Sequence, residues 1–211
     1  MGVTIDEITV GDPPEAWEAA GFSVDPDGVC RIGQVRVRLV GRDHGKRILG
    51  WSLRGAPEGS LDSGSLGGLP TTASKADPAA PADHEIGALY IDHIVLISPD
   101  LFRTAAAIEA LGVEQRGQRD TDTYGAPMRQ VFFRMGEVIV ELIGSPETVG
   151  EGEPGFFGLA HTVRDLDAVA ARLGDHLGSI KDAVQEGRRI ATLRHRELGM
   201  SVATALMTPE P

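Results

Sequence analysis

The chain has a single cysteine, Cys30, so no internal disulfide can form, and a reducing, cytoplasmic setting is expected. Positive charge is also scarce. Twenty Lys and Arg stand against 31 Asp and Glu, for a net charge of −11 and a pI near 4.9. Polyanion binding needs a basic face, so nucleic acid is not an expected partner. No apolar run approaches the roughly 20 residues of a membrane-spanning helix, which argues against a membrane partner. The opening MGVTIDEITV is acidic and lacks a signal-peptide pattern, and MGVTID lacks the Ser or Thr of a myristoylation signal. What is present is ample: 41% of the 211 residues are hydrophobic, enough for one large domain or two small ones.

Residues 56–87, APEGSLDSGSLGGLPTTASKADPAAPADHEIG, are dominated by Gly, Ser, Ala, Pro and Asp. They read as a mobile linker between an N-terminal part, 1–55, and a C-terminal part, 88–211. The C-terminal part opens with a strand over 89–98. SPDL then starts a helix, with Ser98 as candidate N-cap and Pro99 at the first helical position. The polar stretch EQRGQRDTDTYGAP follows, with Asp120, Asp122 and Tyr124 in a loop able to cover a cleft. A hairpin comes next: RQVFFRM, a GE turn, VIVELIG. The order then repeats, with a strand over 155–163, a helix in VRDLDAVAARLGDHLG, and strands over 189–194 and 201–207.

The N-terminal part shows the same unit in compressed form. CRIGQVRVRLVG (30–41) matches FRMGEVIVELIG (133–144) in frame, and ILGWSL (48–53) matches FFGLAH (156–161). Internal similarity of this length is an architectural signal. In the same frame IDEI (5–8) matches IDHI (91–94), so Glu7 stands where His93 would be and Arg38 where Glu141 would be.

Three stretches, IDHIVLISPDL, RQVFFRMGEVIVELIG and GLAHTVRDLDAVAARLG, resemble the vicinal oxygen chelate superfamily of glyoxalases, bleomycin-resistance proteins and extradiol dioxygenases. The resemblance implies an α+β fold of paired βαβββ modules, about 88–148 and 152–208, curled around a cleft with helices outside. A partial, degenerate module covers 1–55. It also implies a divalent metal held by His and Glu from the first and last strands of each module. Carried over by position, His93 and Glu141 are the matching ligands of the first module. The second module offers Gly158 and Ala205, neither of which can ligate through its side chain.

Two readings of this half-site stay open. In one, His93 and Glu141 hold a single Zn, Ni, Fe or Mn ion, Glu141 is the candidate catalytic residue, and the chain is a metal-dependent isomerase, lyase or dioxygenase. A second copy of the chain would supply the missing ligands, and exposed sheet edges favour a homodimer. In the other, favoured reading, no metal binds. His93 and Glu141 join Gln130, Phe132, Arg134 and Val95 in orienting a small organic molecule in an apolar cleft. Small residues on the facing strands, Gly158, Ala160, Ala203 and Ala205, leave room for it or pack sheet on sheet. Strand alternation puts His93, Val95 and Ile97 on one face, and the GE turn sets Phe132 opposite Glu141.

The remaining candidates carry less. His161 is expected on the opposite face of its strand as a packed, hydrogen-bonded core residue, His195 in a solvated turn, and His44, His84 and His176 in loops or helix ends. Trp51 is expected in the core. Arg31, Arg36, Arg38 and Arg54 share a face that could hold an anion, but a solvated outer face balanced by Glu7 and Asp25 is favoured.

Overall fold

In VRVRL and VIVEL every second residue is fully or almost fully buried, so each segment is a strand with one face in the core. Glycines at positive φ, Gly33 (+60°) and Gly136 (+71°), turn each back on the strand before it. The two turns touch: Gln34 N–H donates to Glu137 Oε1 at 2.5 Å, and a Cβ on Gly33 would meet that same oxygen. The computed structural model describes residues 2–122, 125–147 and 149–211.

Chain order is β1 (Thr4–Val10), α1 (Pro14–Ala19), β2 (Val29–Ile32), β3 (Val35–Leu39), β4 (Ile48–Arg54), β5 (Ser65–Leu66) and β6 (Leu69–Ser74). Then come β7 (Ala88–Ile97), α2 (Leu101–Glu109), β8 (Gln115–Thr121), β9 (Met128–Met135) and β10 (Val138–Gly144). The chain closes with β11 (Gly155–Val163), α3 (Leu166–Leu173), β12 (Lys181–Asp182), β13 (Arg189–Thr192) and β14 (Ala203–Met207). The six-stranded sheet runs β2-β3-β1-β4-β6-β5, and the eight-stranded sheet runs β12-β13-β14-β11-β7-β10-β9-β8.

The smaller sheet is the larger one without its two edge strands. In the large sheet β7 pairs parallel with β10 and antiparallel with β11, and β11 pairs parallel with β14. In the small sheet β1 pairs parallel with β3 and antiparallel with β4, and β4 pairs parallel with β6. The fold is therefore α+β, built from repeated modules. The N-terminal module is partial, with no counterpart of β8 among the described residues.

The stretch 56–87 differs from the expected linker. It contributes β5 and β6, and Leu61, Leu66, Leu69, Ala79 and Ile86 are buried. A polar residue fills a core position there: Thr71 is 1% exposed and accepts the Trp51 indole N–H at 2.7 Å. That substitution of a polar for an apolar residue hides the strand in the pattern. Backbone bonds from Ala79 to Gln34 and from Ala82 to Arg31 tie the rest down. The polar stretch after α2 also forms a strand, β8, with Asp120 bound to Arg129 at 2.7 Å by both oxygens. Tyr124 lies outside the described residues.

Helices α2 and α3 start on acidic caps. Asp165 accepts from the N–H groups of Asp167 and Ala168. For α2 the cap is Asp100, which accepts from Arg103 N–H, and not Ser98 as the sequence predicts. Ser98 is buried instead, with its hydroxyl against Thr104. One continuous apolar core runs through both sheets. Among the described residues no helix is long and apolar enough to cross a membrane.

Candidate functional site

The site grows from a β-bulge. In β7, Ile91 pairs with His161 and His93 with Ala160, so Asp92 is an extra residue with no partner on β11. The bulge tucks Asp92 inward, 4% exposed, and leaves His93 on the open face. Asp92 Oδ2 accepts from the buried guanidinium of Arg188 at 2.5 Å and from the Thr162 hydroxyl at 3.0 Å. Its Oδ1 meets His93 Nδ1 at 3.0 Å. Burial pushes the Asp92 carboxyl up. The His93 and Arg188 hydrogen bonds and the Arg188 charge outweigh that and hold it far below the usual carboxylate range.

An ionised Asp92 is a pure acceptor, so His93 Nδ1 carries a proton and donates it. The other nitrogen, Nε2, points at Glu141 Oε2, 3.7 Å away and beyond hydrogen-bond reach. The second Glu141 oxygen accepts from the Gln130 amide. Gln130 Oε1 in turn accepts from Arg119 Nε at 2.7 Å. A polar line thus crosses the sheet from Arg119 on β8 to Arg188 beside β13. Arg119, Asp92 and Arg188 are members that the sequence pattern did not single out. The one available signal was Asp recurring in both IDEI and IDHI.

Register fixes which positions correspond between modules. His93 pairs with Ile139 and Val95 with Glu141. Gly158 pairs with Ala203 and Ala160 with Ala205. Gly158 therefore matches His93, and Ala205 matches Glu141. The same rule in the small sheet sets Glu7 opposite Arg36 and Thr9 opposite Arg38. There Arg38 Nε donates to both Glu7 oxygens at 3.0 Å. A cation of the chain fills the ground between the two positions.

The donor set does not fit a metal held by this chain alone. Catalytic sites of this kind use three protein ligands. The His93 face offers two, and no group of three or more candidate ligands occurs among the described residues. Gly158 is also closed to a larger side chain, since a Cβ there would stand 2.3 Å from the Ala203 carbonyl oxygen.

The other predicted contact residues share the His93 face. Phe132 lies directly across from Glu141, and Arg134 across from Ile139. Val95 pairs with Gly158 on its other side. Arg134 is exposed and walls a cavity of about 160 Å³ with Tyr90, Asp92, Glu137, Ile139 and Glu210.

His161 points away from this face, as expected, but it is not hydrogen-bonded. It is wholly buried against Trp17 and Phe22, and neither ring nitrogen has a partner. Burial drops its pKa to about 3. His84 accepts Ser23 N–H on Nδ1 and meets the Arg31 carbonyl through Nε2, both at 3.0 Å. His176 meets Glu197 at 3.3 Å. The four arginines of the N-terminal sheet face are paired: Arg31 with Asp25, Arg36 and Arg54 with Asp6, Arg38 with Glu7. Cys30 is buried, which pushes its thiol far up and removes it as a nucleophile.

Residues 92–192 match the model of the Glyoxalase/Bleomycin resistance protein/Dioxygenase superfamily. That segment belongs to the vicinal oxygen chelate superfamily. A mutant of 4-hydroxymandelate synthase from Streptomyces coelicolor is similar over 99% of this chain and 92% of its own, at 16% identity and a TM-score of 0.64. A fusion of a xylose isomerase-like TIM barrel with 4-hydroxyphenylpyruvate dioxygenase is similar over 99% of this chain and 49% of its own, at 12% identity and a TM-score of 0.63. Methylmalonyl-CoA epimerase from Mycobacterium tuberculosis is 21% identical over 59% of this chain and 91% of its own, with a TM-score of 0.47. No curated protein sequence matches the chain. At these identities the vicinal oxygen chelate fold is what is shared, and it spans both sheets.

Proposed function

We propose that this chain binds a small organic molecule on the His93 face of its eight-stranded sheet. The observation that supports the reading is the make-up of that face. One line of polar side chains, Arg119, Gln130, Glu141 and His93, crosses a surface otherwise built from Val95, Phe132 and the small residues of β11 and β14. Apolar walls with a few fixed polar groups are what organic ligands select. His93 Nε2 and Glu141 act as acceptors for a ligand hydroxyl or amide. Arg134 supplies a donor at the rim, and Gln130 holds the Glu141 carboxylate in place. Phe132 and Val95 make the apolar contacts. Because Asp92 and Arg188 lie behind it, His93 presents a fixed ring and a fixed tautomer to the ligand.

The test is a fragment screen by two-dimensional NMR on labelled protein. Hits should shift the amides of β7, β9 and β10, and Glu141→Gln or Phe132→Ala should weaken them with the fold unchanged. Hits that cluster elsewhere, or that ignore both variants, would overturn the reading.

A second reading is a metal-assisted isomerase, lyase or dioxygenase with Glu141 as the catalytic residue. What favours it is the facing approach of His93 Nε2 and Glu141 Oε2, with no donor between them. It requires a second copy of this chain to complete the ligand set.

A further inference from the structure

On the seam between the two sheets, a loop of the small sheet meets a loop of the large one. The first is GRDHGKR (41–47), after β3, and the second is RHRELGMS (194–201), before β14. Asp12 joins them. Its carboxylate is fully buried and accepts the Ser201 N–H at 2.9 Å, the Ser201 hydroxyl at 2.5 Å and Arg42 at 2.5 Å. It also accepts the Trp17 indole N–H at 3.2 Å. Arg42 reaches on to the Gly199 carbonyl, and Arg47 N–H donates to Ser201 Oγ at 2.6 Å. The seam is therefore braced by hydrogen bonds from residues nearly two hundred positions apart in sequence.

A cavity of about 420 Å³ opens at this seam, lined by Arg42, Lys46, Arg47, Arg196, Gly199, Met200 and Ser201. Four of these seven are cations and none is an acid. Arg42 is neutralised by Asp12. Lys46, Arg47 and Arg196 form no ion pair among the described residues. The nearby Glu197 is engaged by His176 and Arg194, and Asp43 does not line the cavity. Three uncompensated positive charges gather here in a chain whose net charge is −11. Arg47 also holds the one positive φ of a non-glycine among the described residues, +64°. That conformation costs about 1–2 kcal/mol for a residue with a Cβ.

We infer that this cavity binds the phosphate or diphosphate group of a small molecule. A carboxylate would bring one charge and leave two cations unmatched. A phosphate monoester brings about −1.5 to −2, and a diphosphate more. The arginine forks suit phosphate oxygens in two-pronged contacts, and Lys46 adds a point charge. The volume admits more than a bare phosphate. The site is independent of the His93 face, which lies elsewhere on the large sheet.

Calorimetry on the full chain with pyrophosphate, adenosine diphosphate and acetate tests this. Pyrophosphate should bind saturably at one site, more weakly as salt rises, and acetate should not. The Lys46→Gln/Arg196→Gln double variant should lose about tenfold or more in affinity, with an unchanged melting temperature. Arg47→Gly, which keeps the positive φ, should also weaken binding. Tighter binding of adenosine diphosphate than of pyrophosphate assigns the site to an esterified ligand; equal binding assigns it to the free anion. No saturable binding of either phosphate compound, or equal affinity in all variants, overturns the inference.

Discussion

Asp6 and Asp92 occupy the same bulge in equivalent strands, and each buries its carboxylate against arginine. Asp6 takes Arg36 and Arg54 at 2.5 Å, and Asp92 takes Arg188 at 2.5 Å. In both strands the register slips by one residue at the aspartate. The feature that IDEI and IDHI share is thus the buried acid, a structural anchor. What differs is the next residue, Glu7 or His93, and that residue faces the open side. The side chain on the open side differs beside a shared buried acid.

Among the described residues Arg188 pairs with no carboxylate but Asp92, so removing Asp92 leaves a buried charge unpaired. Asp92→Ala should cost about 3–5 kcal/mol of folding free energy. The double variant Asp92→Leu/Arg188→Met should recover most of that loss, because an apolar pair needs no compensation. Urea unfolding of Asp92→Leu, Arg188→Met and the double variant checks this as a thermodynamic cycle. A harmless Asp92→Ala would show that the pair does not brace the bulge.

His161 and His84 are both held neutral by burial, with their pKa values pushed down from 6.5, in His161 to about 3. The unfolded chain takes up protons in that range that the folded chain refuses. Stability is therefore full above about pH 6.5 and falls as pH drops, for His161 by about 1.4 kcal/mol per pH unit until pH nears 3, with a further loss in the same direction from His84. His161→Leu should flatten this slope and leave stability at pH 8 equal or higher, since the ring nitrogens have no partners to lose. Urea midpoints across pH 4–8 for both proteins provide the readout.

Gly158 and Ala205 differ as sites for a restored ligand. A Cβ at Gly158 would stand 2.3 Å from the backbone oxygen of Ala203, so Gly158→Ala should destabilise by about 1–3 kcal/mol. Ala205 is half-buried on the open face and pairs with Ala160, so Ala205→Glu should fold. Thermal melts of the two variants should differ in this direction.

Much of the fold is legible in the sequence because alternation and glycine turns are local signals. VRVRL and VIVEL each announce a strand, and the matched frames announce the repeat. β5 escapes notice because it has two residues, and β6 because a threonine, Thr71, fills one of its core positions by bonding to Trp51. The α2 cap shifts from Ser98 to Asp100 because Ser98 is drawn into the core by Thr104. Of the site, the pairing of His93 with Glu141 is implied by the family resemblance, and strand alternation agrees with it. The Arg188–Asp92 pair does not, since 96 residues separate its members and only the tertiary fold joins them.

The most direct test of the central claim is elemental mass spectrometry of the purified chain after incubation with Zn, Ni, Fe and Mn, beside His93→Ala. A two-donor organic-ligand face predicts well under one equivalent of metal, unchanged by the substitution. Near-stoichiometric metal that disappears in His93→Ala would contradict it and make the His93–Glu141 pair a working half of a shared metal centre.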